Sequence, residues 1–245
     1  MRDQDWIAAN TYPGRGIVVG LSADGTQALQ IYWTMGRSAK SRNRILAADP
    51  DQGVRTQLAM PDPEVGDTSL ILYTAMARAG DYEVVSNGAQ TDDLARGLAA
   101  GATFAELVLA MRVEPDAPNF TARIAAAFDR ASRRYALAAV RAPGNDSAHQ
   151  LVHTTTIMRA QAGRGHCITT YDGDGEPLPP FTGEPFAVPL GNQLAAIASD
   201  YWALLDRANR VSLVVKAVSL ESKAIDLHIV NRHAGPPDAQ RRLQP

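Results

Sequence analysis

Gly16-Ile17-Val18-Val19-Gly20-Leu21 and Ala28-Leu29-Gln30-Ile31-Tyr32-Trp33, joined through Ala23-Asp24-Gly25-Thr26, are the stretches on which the fold class turns. Two apolar runs around an Asp-Gly pair predict a β-hairpin, because both turn residues tolerate positive φ. A second pair follows, Ser69–Tyr73 and Tyr82–Ser86, joined through Gly80-Asp81. Further strands are predicted at Arg134–Arg141, Leu151–Met158, His166–Tyr171, Val211–Leu220 and Ile225–Val230, the last two forming a long hairpin that turns near Glu221-Ser222-Lys223.

Helices interrupt this pattern in two places. Thr91–Ala100 reads as a first helix ended by Gly101. Thr103 then starts a second, with Glu106 completing a capping box and Phe104, Leu107, Val108 and Met111 on one face as far as about Arg112. Asn192–Ala208 carries Leu194, Ile197, Tyr201, Leu204 and Leu205 at helical spacing. Hairpins with a few inserted helices indicate an α+β protein of antiparallel sheets covered by helices, not βαβ units. One domain over residues 1–233 is expected, followed by a polar, proline-containing tail, 234–245, read as flexible.

Composition removes several classes of function. The chain has 245 residues, 45% of them hydrophobic and 20% charged, with a net charge of −2. That balance exerts no general pull on nucleic acid or an anionic membrane. A single cysteine, Cys167, allows no intramolecular disulfide and no cysteine-based metal cluster. It sits in a strand-like run and reads as a small buried hydrophobe. The N-terminal residues lack the apolar stretch of a secretion signal, and no run approaches bilayer length, so a cytoplasmic, membrane-free protein is expected.

Familiar motifs also fail. Gly14, Gly16 and Gly20 precede and end a strand, whereas a dinucleotide loop follows a strand and opens a helix. Asp172–Glu176 lacks the spacing of an EF-hand. There is no Gly-x-Ser-x-Gly elbow, although a Ser-His-Asp triad assembled from distant positions stays open.

Three polar islands remain as candidates. Gly36–Arg44 places Arg37, Ser38, Lys40, Ser41, Arg42, Asn43 and Arg44 directly after an apolar strand, a compact set of guanidinium and hydroxyl donors suited to phosphate. Ser86–Asp92 lies between a strand and a helix, where Asn87-Gly88 permits a tight turn beside the positive helix end. Glu114–Arg123 gathers Glu114, Asn119, Thr121 and Arg123 in a proline-stiffened segment, a plausible acid/base group with its orienting set. Taken singly, each island competes evenly with an ordinary solvated loop.

Together with Tyr12-Pro13-Gly14-Arg15-Gly16, Gly165-His166-Cys167, Thr170-Tyr171, Gly173-Asp174-Gly175 and Asn231-Arg232-His233, the islands resemble the archaeal-type IMP cyclohydrolases and their bacterial relatives. The likeness extends over nearly the whole chain, with Ala122 standing where the family commonly has proline.

The resemblance implies a four-layer αββα sandwich like that of the N-terminal-nucleophile hydrolases, without their autoprocessing. It also implies closure of a formamido-imidazole-carboxamide ribonucleotide to IMP with loss of water, with no metal or other cofactor. Arg37 is then expected at the substrate, Arg42 and Arg44 at its phosphate, and Tyr73 and Glu114 at proton transfer. Asn87 and Asn119 become orienting amides, with Ser38 and Arg123 completing the set. A phosphorylated imidazole or purine ribonucleotide is the implied partner, in a homo-oligomer. The competing readings are a non-catalytic nucleotide-binding protein and another cyclic amidohydrolase on the same scaffold.

Overall fold

The computed structural model describes residues 2–49, 51, 53–60, 68, 70–233 and the backbone of 241–243. Over these described residues the chain is α+β, with two seven-stranded antiparallel sheets and few helices. In the first sheet β1 (Gly16–Leu21) pairs with β2 (Gln27–Met35) and β10 (Arg164–Thr169), and β11 (Phe186–Pro189) lies beyond β10. On the other side of β2 come β12 (Arg210–Ser219), β13 (Ile225–Asn231) and β14 (Arg241–Leu243). The second sheet runs in chain order: β3 (Arg44–Asp49), β4 (Gly53–Leu58), β5 (Thr74–Ala79), β6 (Tyr82–Ser86), β7 (Arg123–Asp129), β8 (Arg134–Arg141) and β9 (Leu151–Ile157).

Side-chain alternation shows how the second sheet is covered. Val85, Ile124, Ala126, Phe128, Leu137 and Ala139 join the core shared with the first sheet. Their neighbours Val84, Ala125, Ala127, Ala138 and Val140 face the other way, into a cluster with helices α3 (Gln90–Ala99) and α4 (Phe104–Leu109). Alanine on that outer face lets helix and sheet approach closely. Both faces of β7 and β8 are therefore buried along most of their length, so apolar residues stand in consecutive positions there. Helix α5 (Leu194–Leu204) packs on β12 and β13, and α1 (Gln4–Ala9) packs on α5. A short helix, α2 (Ala39–Arg42), carries the basic island between β2 and β3.

Several expectations hold closely. The β1–β2 and β12–β13 hairpins, β8, and the capping box at Thr103 are present, with Thr103 N–H donating to Glu106 at 2.9 Å and Glu106 N–H to Thr103 Oγ1 at 3.3 Å. The helices are trimmed: α4 stops at Leu109, and α5 spans Leu194–Leu204. The first helix begins at Gln90, with Ala89 at the N-cap and no side-chain cap from Thr91 or Asp92.

One expectation needs correction. Ser69–Tyr73 is not the strand that precedes Tyr82–Ser86; that strand is β5, Thr74–Ala79, and Tyr73 sits just before it. Ser69 itself lies outside the described residues. The N–H groups of Ile71 and Leu72 both donate to Thr68 O, curling this segment into a turn. Tyr73 is then held by Thr56, whose Oγ1 accepts from Tyr73 N–H at 2.7 Å. Most of the tail read as flexible, 234–240 and 244–245, also lies outside the described residues, while the backbone of Arg241–Leu243 pairs with β13.

At the end of β6 where that strand begins, the two sheets are joined by charge. Glu83 is fully buried and contacts Lys216 Nζ at 2.8 Å, Arg78 Nε at 2.8 Å and Arg130 Nε at 3.0 Å, while its backbone carbonyl accepts from Gln30 Nε2 at 3.0 Å. Lys216 and Gln30 belong to the first sheet, and Glu83 and Arg78 to the second. Asn231 of β13 adds a two-way amide bridge to Leu46 of β3, with both bonds at 2.9 Å. Removing this carboxylate leaves buried cations facing each other, with only the half-exposed Asp81 still reaching one of them, Arg130, at 3.4 Å. Glu83→Gln is expected to cost about 3–5 kcal/mol, read as a lower denaturant midpoint with an unchanged m-value.

Candidate functional site

Gly14 has φ +72°, and a Cβ there would lie 2.2 Å from Thr170 Oγ1 and 2.5 Å from the Tyr171 ring. Only glycine lets the chain make this bend against the 170–171 segment. The bend delivers Arg15 to the mouth of β1, locked by its own N–H to Thr170 Oγ1 at 3.1 Å and by Thr170 N–H to Arg15 O at 2.9 Å. From there the Arg15 guanidinium reaches Glu114, which accepts from it in a short ion pair.

Glu114 is 2% exposed and lies in the loop between α4 and β7. Its N–H donates to Thr121 O at 2.9 Å, so the loop closes back on itself. The same carboxylate oxygen that meets Arg15 also accepts from Arg123 NH1 at 3.0 Å, with Asn87 Nδ2 at a longer 3.5 Å. Asn87 is wholly buried and fully oriented. Its Nδ2 donates to Ala122 O at 2.9 Å, while its Oδ1 accepts from Ile124 N–H at 2.9 Å and from Gln90 Nε2 at 3.0 Å. Gly88 makes room for this arrangement, since a Cβ there would fall 1.9 Å from Arg123 NH1. The second and third islands therefore form one cluster.

Burial raises the Glu114 carboxyl above its ordinary value, and nearby Asp116 pushes the same way, against the pull of Arg15 and Arg123. For Arg15, burial works against the charge, but Glu114 and the phenols of Tyr171, Tyr73 and Tyr32 outweigh it and its pKa lies well above the usual value. Tyr32 and Tyr73 share a hydrogen bond of 2.7 Å between their hydroxyls. Burial, then Tyr73, drive the Tyr32 hydroxyl well upward. A second chain runs from Asp116 through Thr121 Oγ1 to the Tyr171 hydroxyl.

The first island connects less directly. Arg37 is partly exposed; its NH1 donates to Asp174 Oδ1 at 2.6 Å and Gly175 O at 3.1 Å, and its guanidinium lies 5.2 Å from the centre of the Tyr12 ring. Tyr12 stacks on Tyr171 at 5.9 Å, which links Arg37 to the Thr121 end of the cluster. Ser38 caps α2 by accepting from Ser41 N–H at 3.1 Å. Arg42 Nε donates to Gly36 O at 2.9 Å. Arg44 is buried and spends its fork on Ser41 O at 2.8 Å and Met35 O at 3.1 Å. Asn119 is likewise engaged in tying loops together, with Oδ1 accepting from Leu178 N–H at 2.9 Å.

A profile of the family described as IMP cyclohydrolase-like protein matches residues 12–222, from the Tyr12 that stacks on Tyr171 to the turn after β12. The chain belongs to the IMP cyclohydrolase-like family. A search of curated proteins returned no match. The family indicates a hydrolase-type enzyme that binds a purine nucleotide substrate.

For this IMP cyclohydrolase-like chain, sequence reading gave no role to Arg15, Tyr32 or Tyr171, and it did not pair Asp116 with Thr121. Arg15 stood in a recognised motif, but the glycines around it suggested only a turn. Its signal was an arginine immediately before a wholly apolar strand, where its charge must find a partner inside the fold. The His166 motif goes elsewhere: His166 Nδ1 bonds the Tyr135 hydroxyl at 2.7 Å, between β10 and β8. Cys167 is fully buried, and burial pushes its thiol well up. Among the described residues there is no group of three His, Cys, Asp or Glu side chains able to hold a metal ion, and no helix is long and apolar enough to cross a membrane.

Arg123 pulls the Glu114 pKa down, so removing that cation lets burial raise it further. Arg123→Gln is expected to move the acid limb of the pH–activity profile to higher pH while leaving the alkaline limb in place. An acid limb that stays fixed or moves down would break the link between Glu114 and activity.

Proposed function

We propose that the protein closes the formamido-imidazole-carboxamide ribonucleotide to IMP with loss of water, using Glu114 and Tyr73 for proton transfer. The observation that carries this reading is one buried carboxylate held between Arg15 and Arg123, with the Tyr32–Tyr73 phenol pair acting on that same Arg15. Family membership supplies the reaction class.

The reaction makes demands that this cluster fits. The carboxamide nitrogen is a weak nucleophile, so Glu114 takes one of its protons as the new C–N bond forms at the formyl carbon. The formyl π-electrons move onto oxygen, and the Arg15 guanidinium balances the charge that develops there. Tyr73 gives that oxygen its first proton, Glu114 returns the proton it took so that the oxygen leaves as water, and the former formamide nitrogen gives up its own proton to the Tyr73 phenolate as the ring C=N bond forms. A raised Glu114 pKa keeps the carboxylate basic enough for the first step, and Arg15 stays charged throughout. Ring closure is intramolecular, so holding the substrate folded contributes further acceleration.

Asn87 orients Glu114 and Arg123 through its saturated amide. Arg37 anchors the substrate at the open end of the cluster, with Arg42 and Ser38 beside it for the phosphate. Arg44 and Asn119 act as buttresses in this proposal, because their polar groups already hold backbone. We read the scaffold as the αββα sandwich of the N-terminal-nucleophile hydrolases. The support is two facing sheets with α3 and α4 on one and α5 with α1 on the other. The chemistry is assigned to the interior cluster and not to a terminal nucleophile.

Purified protein incubated with the formylated carboxamide nucleotide is expected to produce IMP. Glu114→Gln should lower kcat by roughly 10²–10⁴-fold, and Arg42→Ala should mainly raise KM. Unchanged turnover in Glu114→Gln removes the proposed base, and tight binding without turnover in the wild type favours a nucleotide-binding protein instead.

A further inference from the structure

A sheet that ends in a free strand presents unpaired N–H and C=O groups, and folded proteins cover or blunt such edges. Among the described strands, the first sheet ends in β11 and β14 and the second in β3 and β9. Three of these edges are blunted. β3 is met by the Asn231 amide, which bonds both the N–H and the C=O of Leu46. β11 has 4 residues, follows Pro185 and ends in Pro189. β14 has 3 residues and reads Arg241-Arg242-Leu243. β9 has none of these devices. Its 7 residues, Leu151-Val152-His153-Thr154-Thr155-Thr156-Ile157, include no proline and no Asp, Glu, Lys or Arg, and they pair with β8 without a bulge. Among the described residues no strand lies on its other side.

Apolar surface gathers at the same place. Among the described residues the exposed large hydrophobics are Leu109, Leu151, Val152, Met158 and Met60. Leu151 and Val152 open β9, Met158 follows it, and Leu109 ends α4, which packs on β8 and β9. The bond from Val113 N–H to Gln150 Oε1, at 3.0 Å, ties the chain after α4 to the start of β9. Alternation sets which side chains an incoming strand meets. Ile157 packs against the shared core, so the odd positions face inward, and there His153 and Thr155 already bond Glu184 at 2.8 and 3.2 Å. The outward positions Thr154 and Thr156 are short and exposed. A foreign peptide gains specificity on a sheet edge from pockets for its alternate side chains, and this flat threonine row offers it none. A second copy of β9 needs no pockets, because a two-fold axis makes the strand its own complement.

We propose that β9 is the interface of a two-fold homodimer, pairing antiparallel about Thr154 with the same strand of a second copy and joining their second sheets into one. This register sets Thr154 opposite itself, Val152 opposite the partner's Thr156 and Leu151 opposite the partner's Ile157. Each pair then shares one face of the sheet, and the strand brings no carboxylate or permanent cation against its own copy. Each Glu184 stays with the His153 of its own copy. Met158 meets the partner's Gln150, at the end of the strand to which the chain after α4 is tied. The pairing uses up the free edge of both copies, so the assembly closes instead of growing into a fibre.

Light scattering of the full chain at micromolar concentration is expected to give an even multiple of the chain mass. Thr154→Lys, a change at an exposed position, sets two cations against each other on the axis and should halve that mass. Thr154→Cys should form an intermolecular disulfide on mild oxidation, since directly paired strand residues have Cα atoms about 4.5–5.5 Å apart, within disulfide reach. Met60→Cys, equally exposed but beyond β4 on the far side of the sheet, should not. Cys167 is buried and does not compete. A monomeric wild type, or a mass that a folded Thr154→Lys leaves unchanged, overturns the interface. A halved mass in Thr154→Lys without a disulfide in Thr154→Cys, or with an equal one in Met60→Cys, overturns the two-fold register. None of these measurements uses turnover, so they stand apart from the cyclohydrolase reading.

Discussion

A carboxylate buried as deeply as Glu114 is tolerated only if opposite charge comes to it, because the interior cannot solvate it. Arg15 arrives from the mouth of β1 in one sheet and Arg123 from the first residue of β7 in the other. The pairing therefore requires both sheets to be in register with each other. The positive-φ bend at Gly14, the saturated amide of Asn87 and the absence of a Cβ at Gly88 all serve to bring those two guanidinia to one oxygen. Local backbone choices are thus dictated by a single buried charge.

The opposite end of the sandwich solves a similar problem with different consequences. Glu83 meets Lys216, Arg78 and Arg130 and ties the sheets together through side chains that are almost wholly enclosed. Burial lowers the Lys216 pKa and Glu83 opposes that effect. Glu83 sits inside a strand, with a partner on every side. Glu114 sits in a loop, held between Arg15 and Arg123, and the phenols of Tyr171, Tyr73 and Tyr32 act on that same Arg15. The first arrangement fits a clamp, and the second is the one to which our proposal gives proton transfer.

Much of the strand pattern was legible because the two central hairpins are made of long β-branched and aromatic runs. Strand β7, Arg-Ile-Ala-Ala-Ala-Phe-Asp, carried no comparable signal, since alanine favours helix on its own and is in a strand here only because α3 and α4 need a flat surface. β5 was misplaced for a related reason: Thr74–Ala79 alternates alanine with Thr74, Met76 and Arg78, whereas the apolar Leu70–Leu72 stretch looked more strand-like and instead forms a turn. In the site, Glu114, Asn87 and Arg123 were readable as polar residues in unusual loops. Arg15 was not, because its partner is distant in sequence and nothing local announces it.

The sequence by itself determined the α+β class, the principal hairpins and the family, since these rest on periodicity, turn chemistry and ordered motifs that are local in the chain. Only the tertiary structure decided which polar residues belong together. It joined the second and third islands through Glu114 and added Arg15 and the Tyr32–Tyr73 pair. It also turned Arg44 and Asn119 toward backbone. Those outcomes depend on where buried donors and acceptors find each other, and that is settled by the packing of the two sheets and not by any one segment.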